Sequence, residues 1–250
     1  MIEMIDLHAH ILPQLDDGAE SLEESIEMCR ISHKDGVRTI VATPHILEGI
    51  YPNHRRTILA KVQELNEAIR KCINAFRILP GADVHFSSDM LRLCEDGGIV
   101  TVNDKGQYLM VEFDYQGIPY HAEDVLFRLM TKGIIPIITH PERNFEIGQR
   151  PQRYGEMIRM GCLGQVTAMS LTGGFGSGVK QTAEKLLKSR LIHIIASDAH
   201  SVNGRPPILS PAVREAEKIV GKEEAQRMVT EYPQAILEGK KPQVPEPLSP

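Results

Sequence analysis

The amino-acid sequence predicts an α/β fold, a distorted (β/α)7 barrel. Seven short segments rich in apolar and β-branched residues alternate with segments whose apolar residues recur at helical spacing. Strands separated by helices form parallel βαβ units, and seven units in about 240 residues suit a barrel better than an open sheet. An open doubly wound sheet is the alternative, but the first strand lacks the G-x-G-x-x-G turn of a dinucleotide-binding fold.

The predicted strands cover residues 4–7, 37–43, 76–83, 108–113, 134–139, 163–167 and 192–197. The predicted helices cover residues 21–35, 53–75, 121–132, 151–160, 179–190, 212–220 and 223–231. The first helix has the clearest local signals, because Ser21 and Glu24 can form a capping box at its start and Gly36 marks its end.

The predicted elements form one domain over residues 1–238, since a chain of 250 residues is short enough for a single large core and shows no internal repeat. The remaining residues 239–250, GKKPQVPEPLSP, are rich in proline. Such a composition predicts a disordered tail with a bias toward the polyproline II conformation.

Composition and charge exclude several classes of function. The net charge is −5 and no basic run exceeds two or three residues, so the sequence lacks the basic patch of a nucleic-acid-binding protein. No apolar run approaches the length of a membrane span, and the acidic N-terminus does not resemble a secretory signal; we expect a cytoplasmic protein without membrane insertion. The four cysteines are far apart and none is followed by arginine six residues later, which excludes phosphatase chemistry based on a cysteine nucleophile.

Histidines and carboxylates recur directly after the predicted strands, where the active sites of (β/α) barrels are built. Nine of them are candidate metal ligands: His8, His10, Asp17, His45, Asp83, Glu112, His140, Asp198 and His200. Each alone has a structural interpretation, such as a strand pair facing solvent for His8 and His10, a buried ion pair for Glu112, or a turn cap for Asp198. Their joint appearance at one rim favours a metal site.

The spacing of these residues suits metal binding. His8 and His10 project to the same side of an extended chain, and Asp198 and His200 repeat this spacing. Imidazole and carboxylate ligands without thiolates suit Mn, Fe, Zn or Mg, and nine donors exceed the needs of one ion, so we expect two or three divalent ions. His85 is open to two interpretations, as a further ligand or as a residue that contacts a ligand.

Two arginines follow pairs of candidate ligands. Arg143 comes three residues after His140, and Arg205 five after His200. The planar guanidinium group matches phosphate oxygens, so we predict that both arginines bind phosphate, the alternative being ordinary surface arginines. The glycine-rich residues 173–178 can line the cleft, but they lack the G-K-[ST] of a nucleotide phosphate loop.

The motifs taken together resemble a known family. Asp6-Leu7-His8-Ala9-His10, Thr43-Pro44-His45, His140-Pro141-Glu142-Arg143 and Ser197-Asp198-Ala199-His200 are similar to the metal motifs of the polymerase and histidinol phosphatase (PHP) superfamily. Within it, the strings HAHILPQLDDGAESLEES, VEFDY, SLTGGFG and SDAHSVNGRPP resemble the metal-dependent tyrosine phosphatases of bacterial capsule and exopolysaccharide synthesis, of the CpsB/CapC type. The resemblance extends over nearly the whole chain.

The resemblance implies three metal positions, with manganese as the expected ion. The first is held by His8, His10, Asp83 and Asp198, the second by Asp83, Glu112 and His140, and the third by Asp17, His45 and His200. Arg143 and Arg205 match the phosphate-binding arginines of the family. One position departs from the family pattern, because Asp83 stands where a bridging glutamate is usual.

The implied activity is that of a phosphoric monoester hydrolase, a protein-tyrosine phosphatase that attacks phosphotyrosine with a metal-activated hydroxide. The implied partner is a phosphotyrosine protein, a bacterial tyrosine autokinase that controls polysaccharide export. A phosphatase of histidinol phosphate or another small phosphomonoester is one alternative, and a catalytically weak metal-binding regulatory module is another. The sequence leaves the oligomeric state open.

Overall fold

In the computed structural model, which describes residues 3–248, nine parallel strands alternate with helices along the described chain. The strands are β1 (Met4–Ala9), β2 (Val37–Ala42), β3 (His45–Ile46), β4 (Arg77–Pro80), β5 (Asp83–His85), β6 (Tyr108–Glu112), β7 (Ile135–Thr139), β8 (Leu163–Thr167) and β9 (Ile194–Ala196). The helices are α1 (Leu22–Asp35), α2 (Arg55–Ile69), α3 (Met90–Glu95), α4 (Ala122–Thr131), α5 (Phe145–Gln149), α6 (Gln152–Met160), α7 (Ala168–Thr172), α8 (Ser177–Lys188), α9 (Ser210–Val220), α10 (Lys222–Arg227) and α11 (Glu231–Leu237).

The strands form two parallel sheets that follow one another around the molecule. One sheet has the order β1-β2-β4 and the other β3-β5-β6-β7-β8-β9. The chain of β2 continues into β3 and that of β4 into β5, so the nine strands occupy seven positions. Beyond the named strands, a parallel bridge between Ala9 and Ala199 brings the two outer edges together. The predicted α/β class with seven βα units is confirmed, with two of its strands interrupted.

Both interruptions occur at proline. The predicted strand 76–83 is wrong as a single element, because it divides into β4 and β5 after Pro80. Proline has no amide hydrogen for a sheet ladder, and a side chain at the following Gly81 would lie 2.6 Å from Val41 Cγ1. The predicted strand 37–43 likewise ends before Thr43-Pro44, and the short β3 beyond it was not predicted.

Helix α1 follows its sequence signals at both ends, and α4, α6, α8 and α9 lie within two residues of their predicted bounds, whereas two other predicted helices differ in extent. Ser21 Oγ accepts a hydrogen bond of 3.2 Å from the Glu24 amide, and Gly36 ends α1 in the left-handed conformation. The predicted helix 53–75 is too long, since α2 ends at Ile69 and the chain turns through Ala75 at positive φ. The predicted helix 223–231 is also wrong in extent, because α10 ends at Arg227 and a separate helix, α11, follows.

The Pro-rich segment has neither helix nor strand over residues 240–248, while residues 249 and 250 lie outside the described chain. The Tyr108 hydroxyl donates to the Lys240 carbonyl oxygen at 2.8 Å, and Arg227 donates to that of Gln243 at 3.0 Å. The Leu248 amide donates to the Ser189 carbonyl oxygen at 2.9 Å. This segment therefore lies along the domain, whereas the composition predicted a disordered tail.

Among residues 3–248, no helix combines the length and the apolar character that crossing a bilayer requires.

Candidate metal centre

The C-terminal ends of the strands bring all nine predicted ligands together. Seven of the nine are buried: His8, His10, Asp83, Glu112, His140, Asp198 and His200. His45 is partly buried, and Asp17 has a side chain that is half exposed. Three overlapping groups have ligand atoms within 4.8 Å of one another: His10, Asp17, His45 and His200; His8, His10 and Asp198; and His45, Asp83 and Glu112.

The histidines of the first strand face each other across the innermost part of the cluster. The Nε2 atoms of His8 and His10 are 3.1 Å apart, and each lies 3.4 Å from Oδ1 of Asp198. The other ring nitrogens are held from outside. Nδ1 of His8 donates to Gln165 Oε1 at 2.9 Å, and Nδ1 of His10 lies 2.7 Å from Asp16 Oδ2. Partners of this kind fix the tautomer and turn Nε2 of both rings toward the shared space.

Asp83 occupies the centre of the cluster. Its Oδ2 atom is buried and has no hydrogen-bond partner among the described residues. Three imidazole nitrogens surround this oxygen: His8 Nε2 at 3.6 Å, His45 Nδ1 at 3.6 Å and His140 Nε2 at 3.9 Å. These separations exceed a hydrogen bond. A buried carboxylate oxygen without a partner is costly unless a cation faces it.

The outer part of the cluster is formed by Asp17, His45 and His200. Asp17 Oδ1 lies 3.7 Å from His45 Nε2 and 3.6 Å from His200 Nε2. The other ring nitrogen of His45 lies 3.4 Å from Glu112 Oε2. His45 therefore stands between two of the three ligand groups that the resemblance implies, a position that the grouping from the family motifs did not include.

Two candidate ligands have an unusual backbone. His140, directly after β7, has φ of 33°, and Asp198, after β9, has φ of 50°. Residues other than glycine rarely adopt this left-handed region, although His and Asp are among those enriched there. Glu112 Oε1 lies 3.4 Å from His140 Nε2.

Burial and neighbouring charges shift the pKa values of His8 and His10 in opposite directions. Burial lowers the pKa of His8 to about 4, against the charges of Asp198 and Asp83. Burial also opposes protonation of His10, but the charge and hydrogen bond of Asp16, together with Asp198, raise its pKa to about 10. Cation binding at this pair would release a proton, because an imidazole ligand must be neutral.

The carboxylates of the cluster are ionised. Burial alone would raise the pKa of Asp83, Glu112 and Asp198, yet the surrounding imidazoles, joined by Arg143 at Asp198, hold all three pKa values below the ordinary range. Three negative charges are thus concentrated in a buried space. This concentration is the electrostatic environment that a multivalent cation requires.

The two predicted phosphate-binding arginines meet at Asp198. Arg143 and Arg205 both donate to its Oδ2 atom, Arg205 at 2.5 Å, while Oδ1 of the same carboxylate faces the histidines. Arg143 also donates to the Tyr115 hydroxyl at 2.5 Å. The guanidinium groups therefore lie directly beside the candidate metal ligands, as their positions after His140 and His200 suggested.

Other residues support the ligands without having been predicted as ligands. Asp16, adjacent to Asp17, holds His10 and accepts the His45 amide at 2.9 Å. Asp6 Oδ1 accepts the amides of His8 at 3.2 Å and Ser197 at 3.0 Å, which ties β1 to the end of β9. The sequence contained only weak indications of these supporting roles. The adjacent Asp16 and Asp17 did not reveal which carboxylate contacts His10, and Gln165 is a single polar residue within a predicted strand.

His85 and Glu142 lie beside the predicted ligands and contact residues around them. His85 lies 3.7 Å from Glu112 and 3.4 Å from Asp114, so it meets the predicted ligand set through Glu112. Glu142, in the predicted His-Pro-Glu-Arg motif, is buried and accepts hydrogen bonds from the Thr167 amide at 3.1 Å and the Ser170 hydroxyl at 2.5 Å. It joins the loop after β7 to the start of α7.

The donor set fits divalent metal ions. Nitrogen and oxygen ligands about 2.0–2.2 Å from a shared ion lie roughly 3–3.5 Å from each other. The pairs formed by His8, His10 and Asp198, at 3.1–3.4 Å, match this spacing. The unpartnered oxygen of Asp83 and the absence of a thiolate from the groups found among the described residues agree with a metal bound by histidine and carboxylate.

The chain is similar to known proteins over almost its full length. The model of the family described as capsular polysaccharide synthesis, CpsB/CapC, matches residues 4–238. The tyrosine-protein phosphatase YwqE of Bacillus subtilis is 36% identical over 234 residues, covering 94% of this chain and 91% of that protein. The putative tyrosine-protein phosphatase CapC of Staphylococcus aureus is 38% identical over 208 residues, with coverage of 82% and 80%.

A solved structure agrees with these relatives. It comes from work on YwqE of Bacillus subtilis and CpsB of Streptococcus pneumoniae, described as unique metal-dependent tyrosine phosphatases. The TM-score is 0.94 with 35% sequence identity, and the match covers 99% of each chain. The family predicted from the motifs is thereby confirmed: this chain belongs to the CpsB/CapC family of capsular polysaccharide synthesis proteins.

Proposed function

We propose that this protein is a metal-dependent protein-tyrosine phosphatase. The observation that carries the proposal is the position of two arginines beside a buried cluster of histidines and carboxylates, with Arg143 and Arg205 both contacting Asp198. Cations and guanidinium groups together neutralise the charge of a phosphoryl group in transfer. Relatives that share the family and nearly the whole chain are named tyrosine-protein phosphatases.

We further propose that two or three divalent ions, manganese first among them with Fe, Zn or Mg as alternatives, bind the nine predicted ligands. His8, His10, Asp83 and Asp198 would hold one ion. Glu112 and His140 would share Asp83 in a second site, and Asp17, His45 and His200 would form a third, with His45 close enough to serve the second as well. When bound, such ions lower the pKa of water and so supply the nucleophile at neutral pH.

The side chains of this protein then bind and orient the substrate. Arg143 and Arg205 direct N–H donors at the nonbridging phosphate oxygens, in place of their contacts with Asp198 Oδ2. The phenolate that leaves from phosphotyrosine is stable enough that a strong general acid is not required. Cys29 and Cys162 are buried, and burial raises their pKa values, which is consistent with a reaction that needs no thiolate.

The proposed substrate is a phosphotyrosine segment of another protein, and we propose a tyrosine autokinase of polysaccharide export as its source. The cluster opens to solvent on the side of Asp17, whose side chain is half exposed, and Tyr115 beside Arg143 is also exposed. An open rim of this kind admits the side chain of a peptide. The family's role in capsular polysaccharide synthesis supports the choice of partner.

The test compares substrates and metals on one preparation. Metal content is measured by elemental analysis, and hydrolysis of a phosphotyrosine peptide is followed with and without added manganese, beside histidinol phosphate and phosphoserine peptide at equal concentration. We expect manganese-dependent turnover of the phosphotyrosine peptide and little of the other two. A preference for histidinol phosphate would establish the small-substrate alternative, and inertness toward all three with metal bound would leave a regulatory module.

A further inference from the structure

The glycine-rich segment 173–178 is anchored by hydrogen bonds. The Gly174 amide donates to the Met169 carbonyl oxygen at 2.8 Å, and the Gly176 amide donates to that of Gly173 at 3.0 Å. Gly173 and Gly176 both have positive φ, a conformation that other residues rarely adopt. The segment therefore forms two consecutive turns after α7, and these turns display one large side chain, that of Phe175.

Phe175 contacts both predicted phosphate-binding arginines. The Cζ atom of Arg143 lies 5.0 Å from the centre of the phenyl ring, and that of Arg205 lies 5.6 Å from it. Tyr115 adds a second ring to Arg143, at 5.2 Å. Guanidinium groups within about 6 Å of an aromatic face are attracted by its quadrupole. One phenyl ring thus attracts two guanidinium groups, which repel each other.

Contact with an aromatic ring has a particular advantage for an anion-binding arginine. The ring interacts with the guanidinium group without occupying any of its N–H donors, so the aromatic contact does not compete with a phosphate oxygen for them. The Nε atom of Arg205 is buried and has no hydrogen-bond partner among residues 3–248, so the protein leaves this donor unused. Arginine side chains otherwise have many rotamers, and holding them in place before the ligand arrives reduces the entropy lost on binding.

We propose that Phe175 is a positioning residue, which holds Arg143 and Arg205 together at the rim of the metal cluster in the orientation that receives a phosphoryl group. This inference rests on the proposed function in one respect, that the two arginines bind phosphate. Glu142 extends the arrangement, because its bonds to Thr167 and Ser170 fix the start of α7 and hence the turns that carry Phe175.

Substitutions of Phe175 distinguish the effect of its aromatic ring from the effect of its size. Phe175→Leu and Phe175→Met retain an apolar side chain without a ring, and Phe175→Tyr retains the ring. The matched control is Phe127→Leu on α4, since Phe127 is exposed and takes part in none of the arginine–aromatic contacts of the described chain. Thermal unfolding verifies that each variant is folded, and elemental analysis verifies that each retains the metal content of the wild type.

The main measurement is the affinity of the manganese-loaded protein for inorganic phosphate, determined by titration calorimetry. Losing the aromatic contact to two arginines should weaken phosphate binding by about tenfold in the Leu and Met variants. The Tyr variant should stay within about twofold of the wild type, because the ring is restored. Phe127→Leu should leave the affinity unchanged.

Inorganic phosphate has no aromatic ring, so its affinity distinguishes a role of Phe175 in holding the arginines from a direct contact with the tyrosine ring of the substrate. Unchanged phosphate affinity in Phe175→Leu would overturn the proposal, and if peptide turnover alone fell, Phe175 would be a contact for the substrate. A wild type that does not bind phosphate would overturn it too, since the arginines would not form an anion site. The wild type could also bind phosphate with an affinity that depends on Phe175 and yet hydrolyse no phosphotyrosine peptide. That result would refute the proposed function and leave the positioning role of Phe175 intact.

Discussion

At the scale of single residues, the site depends on side chains that hold the ligands as much as on the ligands. Asp16 is the clearest case, because it contacts the ring of His10, just beyond β1, and the backbone of His45, the first residue of β3. Asp83 is held through one oxygen only, because its Oδ1 atom accepts a hydrogen bond from the Thr139 hydroxyl at 3.1 Å while its Oδ2 atom lies among three imidazoles. Both oxygens of Asp16 thus have partners, whereas Oδ2 of Asp83 has none among the described residues and is available for a cation.

Replacement of Asp16 by Asn should weaken metal binding by about 10–100-fold, the usual effect of removing a carboxylate that orients a histidine ligand. The amide side chain keeps the size of Asp16 but lacks the charge that favours the required tautomer of His10. Titration of the metal-free protein with manganese measures the effect. Glu20→Gln, in the exposed part of the same loop, is the control and should bind as the wild type does. Equal affinities for both variants would contradict the orienting role of Asp16.

His193 should make the folded state sensitive to acid. Burial lowers its pKa to about 4, and its Nδ1 atom accepts the Gly164 amide at 3.0 Å. A histidine with a lowered pKa stabilises the fold above its unfolded pKa, near 6.5, and this stability is lost as the pH falls toward 4, up to about 3 kcal/mol. In His193→Asn, which retains an acceptor but does not titrate, denaturant unfolding of the chelated protein should depend less on pH between 6.5 and 4. Parallel pH curves would refute this assignment.

Residue by residue, the sequence was a good guide to which side chains approach the cluster and a poor guide to what they contact. His8, Glu112 and Asp198 were placed correctly, because a parallel barrel brings strand ends to one face whatever the details of packing. The bonds of Gln165 and Asp6 were not predicted, since both depend on the rotation of a side chain within a strand. Such rotation is decided by neighbours distant in the chain.

At the scale of elements, prediction placed most strands and the longer helices and missed the shortest helices. Strand β8 was predicted with its bounds, and α1 by its capping box and terminal glycine. Helices α3, α5 and α7 have five or six residues, too few for a helical period to stand out. The division of β4 from β5 was signalled by Pro80, but the following apolar residues suggested one continuous strand.

The loop between β1 and α1 depends on Gly18. A side chain there would lie 2.2 Å from the His10 carbonyl oxygen, and this neighbour is backbone and cannot move aside cheaply. Gly18→Ala should therefore destabilise the protein by about 1–3 kcal/mol and reduce its manganese content, because the loop carries Asp17. Gly178→Ala is the matched control, with no atom within 4 Å of the added carbon. Thermal unfolding and elemental analysis give the comparison, and equal behaviour of the two variants would contradict the steric argument.

At the scale of the whole molecule, the concentration of buried carboxylates links metal binding to stability. Asp83, Glu112 and Asp198 are ionised and close together, and cations relieve their repulsion. At a free manganese concentration 100 times the dissociation constant, each site should add about 2.7 kcal/mol, which corresponds to roughly 5–10 °C in the unfolding midpoint. The measurement is thermal unfolding after chelation and after stepwise return of manganese. His140→Ala should show a smaller rise, and a midpoint independent of manganese would exclude binding to the folded state.

The joining of β1 to the end of β9 has a consequence for biosynthesis. The amide of Asp198 donates to the His8 carbonyl oxygen at 2.8 Å, and the amide of Ser197 to Asp6, so residues about 190 positions apart complete one side of the cluster. A nascent chain on the ribosome exposes His8 and His10 long before their partners are synthesised. Full ligation of a cation by this cluster would therefore require Asp198 to have joined the end of β1, so it would follow the meeting of the first and last strands of the fold.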